Sequence, residues 1–295
     1  MLKVQVPLNI HSDLPELLNL GGDEFYMGYL PPEALSLEQV ISRRPGKAAN
    51  PVDQVWITRQ IALLKSAGKQ LFAAFNEHFY SPDGQQAVMA AVDWLVGQGI
   101  DGLILADPGL LYLLRRTYPD LYYLGSTGLA VTNSEAARFF HARGFNRIIL
   151  PRQLSIREIR RIVSANPGID FEIFIKNDAC PNLDGLCCYV HGSAGGRSFG
   201  QACCRIELPG QQQPAFLEQA CGACALFDLH DLGLAACKIV GRDKSRQRIR
   251  NDLVFIKRVI RLLSCCHGRV EFQEEVKAIY RQTYGQICPG RCYYL

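Results

Sequence analysis

Short apolar runs rich in Val, Ile, Tyr and Phe alternate along the chain with longer stretches whose apolar residues recur at helical spacing. Eight strands are predicted, at 3–7, 24–29, 70–75, 101–106, 121–125, 147–150, 171–176 and 236–240. Helices are predicted between them at 13–20, 52–67, 84–98, 109–117, 134–143 and 155–163, and a longer one follows the eighth strand at 244–263. The stretches Thr132-Asn133-Ser134-Glu135 and Ser155-Ile-Arg-Glu158 supply a hydroxyl and, three residues on, a carboxylate that satisfy free amides at helix starts, while Gly68, Gly97 and Gly144 mark helix ends. Strands that are apolar almost throughout belong to a parallel sheet with both faces covered, and eight such repeats predict a closed (β/α)8 TIM-like barrel. The rival is an open doubly wound sheet, but no glycine-rich GxGxxG follows the first strand.

The longest connection runs from strand seven to strand eight, and it holds most of the cysteines. All twelve cysteines lie at or beyond Cys180, and eight fall between Asp178 and Cys237. The expected organisation is a barrel over residues 1–265 carrying a cysteine-rich metal-binding insertion at 177–235, then a tail over 266–295 with Cys288 and Cys292. Loops that follow barrel strands build the face where active sites form, so this insertion is expected over the barrel mouth.

The chain of 295 residues, 48% hydrophobic and 20% charged, can bury one large core, and a net charge of +4 selects no class of partner. No apolar run is long enough to span a bilayer and no signal peptide opens the chain, so a soluble cytoplasmic protein is expected. Thiols in a reducing compartment more often hold metal than pair as disulfides. Thiolates suit iron–sulfur clusters, zinc or Cu(I), and Cys221-Gly-Ala-Cys224 has the spacing of half a zinc ribbon. Cys188, Cys203 and Cys237 are expected to pack as small apolar side chains. Cys265 and Cys266 with Cys288 and Cys292 are either a second site or simply core and exposed thiols.

Just past the strand ends stand Asn76, Asp107, Ser126, Thr127, Arg152, Lys176 and Arg242. Each alone is expected to stabilise a loop; together, Asn76, Arg152, Lys176 and Arg242 are candidates for binding substrate, with Arg242 where barrels often hold an anion. Glu172, inside strand seven, is expected to be the buried partner of an arginine. Neither an HExxH helix nor a GxSxG elbow is present, and His78 and His191 are loop histidines with no assigned cysteine partner.

Four segments occur in an order that resembles the collagenase-like peptidases of family U32: Gly21 to Gly28, Ser126 to Asn133, Glu172 to Cys180, and Lys238-Ile-Val-Gly-Arg242. Glu172, Phe174, Cys180, Gly185 and Cys187 match the family pattern, while Lys176, Asn177, Asp184, Leu186 and Val240 depart from it. The resemblance implies a 4Fe-4S cluster held by Cys180, Cys187, Cys204 and Cys221, with Cys224 as the alternative fourth ligand; zinc is the alternative metal. It also implies oxygen-independent hydroxylation or a related redox modification of a quinone precursor or an RNA base, hence a small-molecule or RNA substrate and a homologous protein partner. Peptidase activity, or a role as the noncatalytic subunit of such a complex, is the alternative implied.

Overall fold

The computed structural model describes residues 2–34, 42, 47–178, 180, 183–186 and 220–294. Eight parallel strands close into a barrel in sequence order: β1 (Lys3–Pro7), β2 (Glu24–Gly28), β3 (Gln70–Phe75), β4 (Gly102–Leu105), β5 (Tyr122–Gly125), β6 (Arg147–Leu150), β7 (Asp170–Lys176) and β8 (Ala236–Ile239). Closure is made by β8 on β1, with Lys3, Val4 and Gln5 opposite Ala236, Cys237 and Lys238. The TIM-like barrel expected from the alternation is therefore present, and the open sheet is not.

Helices α1 (Leu14–Asn19), α2 (Gln54–Ser66), α3 (Pro82–Gln98), α4 (Pro108–Thr117), α5 (Ser134–Ala142) and α6 (Ile156–Ser164) cover the outside. A short α7 (Leu226–Leu229) precedes β8, and α8 (Arg246–Leu262) and α9 (Arg269–Tyr284) follow it. Their starts follow capping chemistry. Ser155 Oγ accepts from the Glu158 amide at 3.3 Å while the Glu158 carboxylate accepts from the Ser155 amide at 2.7 Å. One helix end differs from expectation: α3 runs through Gly97 and stops at Gly99, whose φ of +87° gives the left-handed turn. The larger difference is α9, in a stretch expected only as a tail. Its Phe272, Val276, Ile279 and Tyr280 are buried, and Phe255 of α8 meets Tyr280 edge-on and Tyr284 at a tilt.

The barrel interior is charged near the strand starts. Arg147 reaches Glu24 at 2.6 and 3.0 Å and Glu172 at 3.1 Å. Lys238 lies 3.4 Å from Glu172, bonds Gln5, and stands 3.6 Å from the centre of the Tyr26 ring. All four charged side chains are almost wholly buried, so each charge is tolerated only through its partners. Glu172 thus has the arginine partner its sequence position suggested. Burial opposes the ionised form of Glu24, but the hydrogen bond and charge of Arg147 outweigh it and lower its pKa. Burial pushes Lys238 down to about 8 against the pull of Glu172.

Replacing Arg147 by Met leaves Glu24 and Glu172 facing each other in the barrel, and is expected to cost about 3–5 kcal/mol in urea unfolding. Because the folded pKa of Glu24 lies below its ordinary 4.5, its contribution is full above that value and is lost as pH falls through the folded value. The unfolding midpoint of the native chain should therefore drop more steeply below that pH than that of Glu24→Gln.

Candidate functional site

Arg242, just past β8, is buried, and its Nη2 donates to Ser42 Oγ at 2.7 Å and its Nη1 to Asn50 Oδ1 at 3.2 Å. Asn9, just past β1, donates through Nδ2 to the Arg242 and Lys244 carbonyls at 2.9 and 2.8 Å. These bonds tie the turn after β8 to the loop after β1. At the end of β2, a Cβ on Gly28 would overlap Asn50 Oδ1, the Arg242 guanidinium and the Ala49 carbonyl, so this position needs glycine. Asn76, past β3, accepts from Ser42 Oγ at the long distance of 3.5 Å. The mouth on the β1–β2–β3–β8 side is therefore a set of amides and hydroxyls around one guanidinium, which suits an anionic or hydrogen-bonding ligand.

On the β6–β7 side, Arg152 forms a two-pronged ion pair with Asp184, at 2.9 Å from Nε and 3.0 Å from Nη2, and lies 4.5 Å from the centre of the Phe174 ring. The Arg152 amide also donates to Asp184, at 3.2 Å. This pair holds the short stretch 183–186 against the barrel. Gly185, with φ +85°, sits where a Cβ would strike the Thr127 and Gly128 carbonyls. Asp184, a departure from the family pattern, is thus a loop anchor. Cys180 lies beside it, its carbonyl accepting from Gln153 Nε2 at 3.3 Å.

Lys176 is the strand-end residue whose placement differs most from a mouth position. A register shift on β7 between Phe174 and Lys176 accompanies its placement beside α9, where its ammonium stands 5.0 and 5.1 Å from the Tyr280 and Tyr284 ring centres. Burial is the main influence lowering its pKa, opposed chiefly by the nearby Cys221. Next to it, Asn177 and Asp178 adopt φ of +69° and +52°. Asparagine and aspartate tolerate this left-handed geometry better than most non-glycine residues, which fits Asn177 at a position where the family pattern has glycine.

Asn177 is also the hub of a buried network. Its Nδ2 donates to Asp252 Oδ2 at 2.6 Å, and its Oδ1 accepts from Arg248 Nη2 at 2.6 Å. Tyr284 donates to Asp252 Oδ1 at 2.5 Å, and the Tyr293 hydroxyl donates to the Asn177 carbonyl. Asp252 and Arg248 were not legible as site residues, because on an amphipathic helix they look like one more i, i+4 ion pair.

The final residues come back to the barrel. The Cys221 amide donates to the Arg291 carbonyl and the Tyr293 amide to the Cys221 carbonyl, both at 2.9 Å, so Cys221 bridges Lys176 on one side and Cys292 on the other. Tyr294 donates to the Phe174 carbonyl at 2.8 Å. Cys224 lies one turn after Cys221. Burial pushes the thiols of Cys221 and Cys224 up to about 11 and about 12, Cys288 and Cys292 adding to both rises and Cys221 to that of Cys224, while Lys176 opposes the rise at Cys221. Cys187 and Cys204 lie outside the described residues, as do Cys188, Cys203 and His191. Asp107 and Ser126 serve as caps, accepting from the Gly109 and Gly128 amides at 2.7 and 3.3 Å. Cys237 is buried in β8 and packs in the core.

Among the described residues no helix is long and apolar enough to cross a membrane. A solved U32 peptidase covers 83% of this chain and 94% of its own length at a TM-score of 0.52 and 14% identity, a likeness of fold. The tRNA hydroxylation protein P of Escherichia coli is 34% identical over 93 residues, 32% of this chain and 20% of that protein. The 23S rRNA 5-hydroxycytidine C2501 synthase of the same organism is 26% identical over 201 residues, 62% of this chain and 29% of that protein. The tRNA hydroxylation protein P1 of Bacillus subtilis is 26% identical over 225 residues, 69% of this chain and 52% of that protein. The chain thus spans at most about half the length of these relatives. The family model of peptidase family U32 matches residues 13–288, and the chain belongs to that family.

Proposed function

We propose that this chain takes part in hydroxylating a base of tRNA or ribosomal RNA, without molecular oxygen and with the help of an iron–sulfur cluster. The observation that carries the reading is the set of relatives: U32 proteins named for RNA hydroxylation align with up to 69% of the chain. RNA is therefore favoured over a quinone precursor. Replacing C–H by C–OH removes two electrons from the base, so an oxygen donor other than O2 and an electron acceptor complete the reaction.

The ligands implied by the family resemblance are Cys180, Cys187, Cys204 and a fourth, Cys221 or Cys224. Among the described residues the donor chemistry fits such a group in kind, because Cys221 and Cys224 are neighbouring thiols beside the buried cation of Lys176. When bound, the cluster supplies one-electron transfer. The protein's own part at the mouth is positioning: Arg242, held by Ser42 and Asn50, offers its charge to a phosphate or an anionic oxygen donor. Gly28 keeps that guanidinium in place. A homologous partner chain that completes the site is part of the same proposal. Peptide-bond cleavage is the other reading, but the fold likeness to a U32 peptidase does not carry a mechanism, and the sequence has neither an HExxH helix nor a GxSxG elbow.

Expressed in a cell lacking its own RNA-hydroxylating U32 protein, the chain is expected to restore a hydroxylated nucleoside detectable by mass spectrometry of digested RNA. Unchanged RNA alongside cleavage of peptides would overturn the reading. Arg242→Ala should lower the modified fraction by roughly 10- to 150-fold in rate, as expected for loss of a charge-assisted hydrogen bond of about 1.5–3 kcal/mol. Gly28→Ala should produce a similar loss by displacing the same guanidinium. Protein purified without oxygen should be brown, with about four irons and matching sulfide in the cluster; colourless protein holding only zinc would remove the cluster from the proposal.

A further inference from the structure

The outer wall of the barrel between α4 and α5 carries a groove of about 520 Å³ that the proposed reaction leaves without a role. One end lies at Pro108 and Gly109, just past β4 and therefore at the mouth; the other lies at Arg143 and Phe145, just before β6. Between them Tyr112, Arg115 and Arg116 of α4 and Phe140 of α5 line it. The helix patterns account for this surface. Helix α4 buries Leu110, Leu111 and Leu114 against the barrel, which turns Tyr112 and Arg116 outward, and the Tyr112 ring is 67% exposed. Helix α5 buries Ala137 and leaves Phe139, beside the groove, 48% exposed.

Among the described residues, none of the three guanidiniums meets a carboxylate. Arg115 Nη1 donates to the Gly144 carbonyl at 3.0 Å, and a Cβ on Gly144 would overlap that guanidinium. Arg143 Nη1 donates to the Phe139 carbonyl at 3.3 Å, and its guanidinium carbon stands 3.4 Å from the centre of the Phe139 ring. Arg116 lies 6.0 Å from the centre of the Tyr112 ring. Elsewhere on the surface Arg138, Arg160 and Arg246 are answered by Glu135, Asp231 and Glu16. Among the described residues that line the groove none is acidic. Of its acidic neighbours in sequence, Asp107 caps α4 through one oxygen and Glu135 is paired with Arg138.

We infer that this groove binds a single-stranded or looped stretch of RNA, with Arg115, Arg116 and Arg143 on its phosphates and Tyr112 and Phe139 as platforms on which its bases stack. Three clustered, unneutralised guanidiniums select a polyanion. The exposed rings beside them choose among polyanions: an unpaired base has a π face to lay on a ring, an acidic peptide or an anionic headgroup has none, and a duplex keeps its bases inside. Arg143 on Phe139 already shows the layered packing that a base would extend, since guanidinium planes also stack on bases. Preference for RNA over single-stranded DNA rests on the proposed hydroxylation; affinity for an unpaired strand does not. Strand β4 lies across the closed barrel from β8, so RNA held in the groove reaches the mouth from the side opposite Arg242. The groove residues are therefore positioning residues, which hold the RNA without touching the reacting base.

The test follows binding of a fluorescein-labelled, mixed-sequence single-stranded RNA of about 12 nucleotides to the full chain by fluorescence anisotropy over a series of salt concentrations. Tyr112→Ala/Phe139→Ala should weaken binding by roughly 5- to 150-fold for each stacked base lost, while Tyr112→Phe keeps the native affinity. Arg116→Ala/Arg143→Ala should also weaken binding, and should flatten the slope of log affinity against log salt by about 1.4, or about 0.7 for each phosphate contact. Polyglutamate and phosphatidylserine vesicles should not distinguish the native chain from the ring variant. Native affinity in either double variant would overturn the inference, as would vesicles or polyglutamate that bind the native chain and lose affinity with the ring variant. Should a variant misfold, photocrosslinking of the native chain to the same RNA carrying 4-thiouridine decides: adducts within 108–116 and 139–145 support the groove, and adducts confined to other segments refute it. Nucleoside analysis keeps the two readings apart. Groove-dependent binding without a hydroxylated nucleoside removes the reaction and keeps the groove, whereas hydroxylation with native binding in both double variants removes the groove and keeps the reaction.

Discussion

Pairing of β8 with β1 is the contact on which the described sites depend. Only when that seam closes does Arg242, at the far end of the chain, come under Asn9, Ser42 and Asn50. The same closure brings Lys238 onto Gln5, while the neighbouring pairing of β8 with β7 sets Lys238 near Glu172. A parallel barrel repays this closure late, since its first and last strands are separated by most of the sequence.

Inside the closed sheet the charges are arranged as a chain, Glu24 to Arg147 to Glu172 to Lys238. A core of this composition is weak evidence for stability, because well-packed apolar residues would serve as well or better. Its effect is to penalise any arrangement of strands that separates the partners, since each unpaired charge would be left in an apolar interior. The polar mouth and the thiol group then stand at the other end, on strand ends and loops whose positions that interior holds.

The alternation of apolar runs placed all eight strands within a residue or two of their ends, because a strand buried on both faces has little freedom in its side-chain pattern. Capping chemistry was similarly local, as at Ser155 and Glu158. Helix α9 was not read from its pattern, since its buried face is defined by contact with α8 and with the returning tail. Glu172 was legible because a lone carboxylate within an apolar strand requires a cation, yet the strand could not name Arg147. Lys176 was legible as a strand-end cation, but the bulge on β7 that places it among tyrosines depends on pairing with β8.

By itself, then, the order of apolar and polar residues determined the repeating strand and helix units, their number and the closed barrel that buries them, because those follow from local periodicity and the need to cover both faces of a parallel sheet. The clustering of thiols beyond Cys180 also lay in the sequence. Which thiols are neighbours was decided by the tertiary structure alone: Cys221 and Cys292 meet through a backbone bridge between segments some 70 residues apart, and no local spacing encodes a contact over that separation.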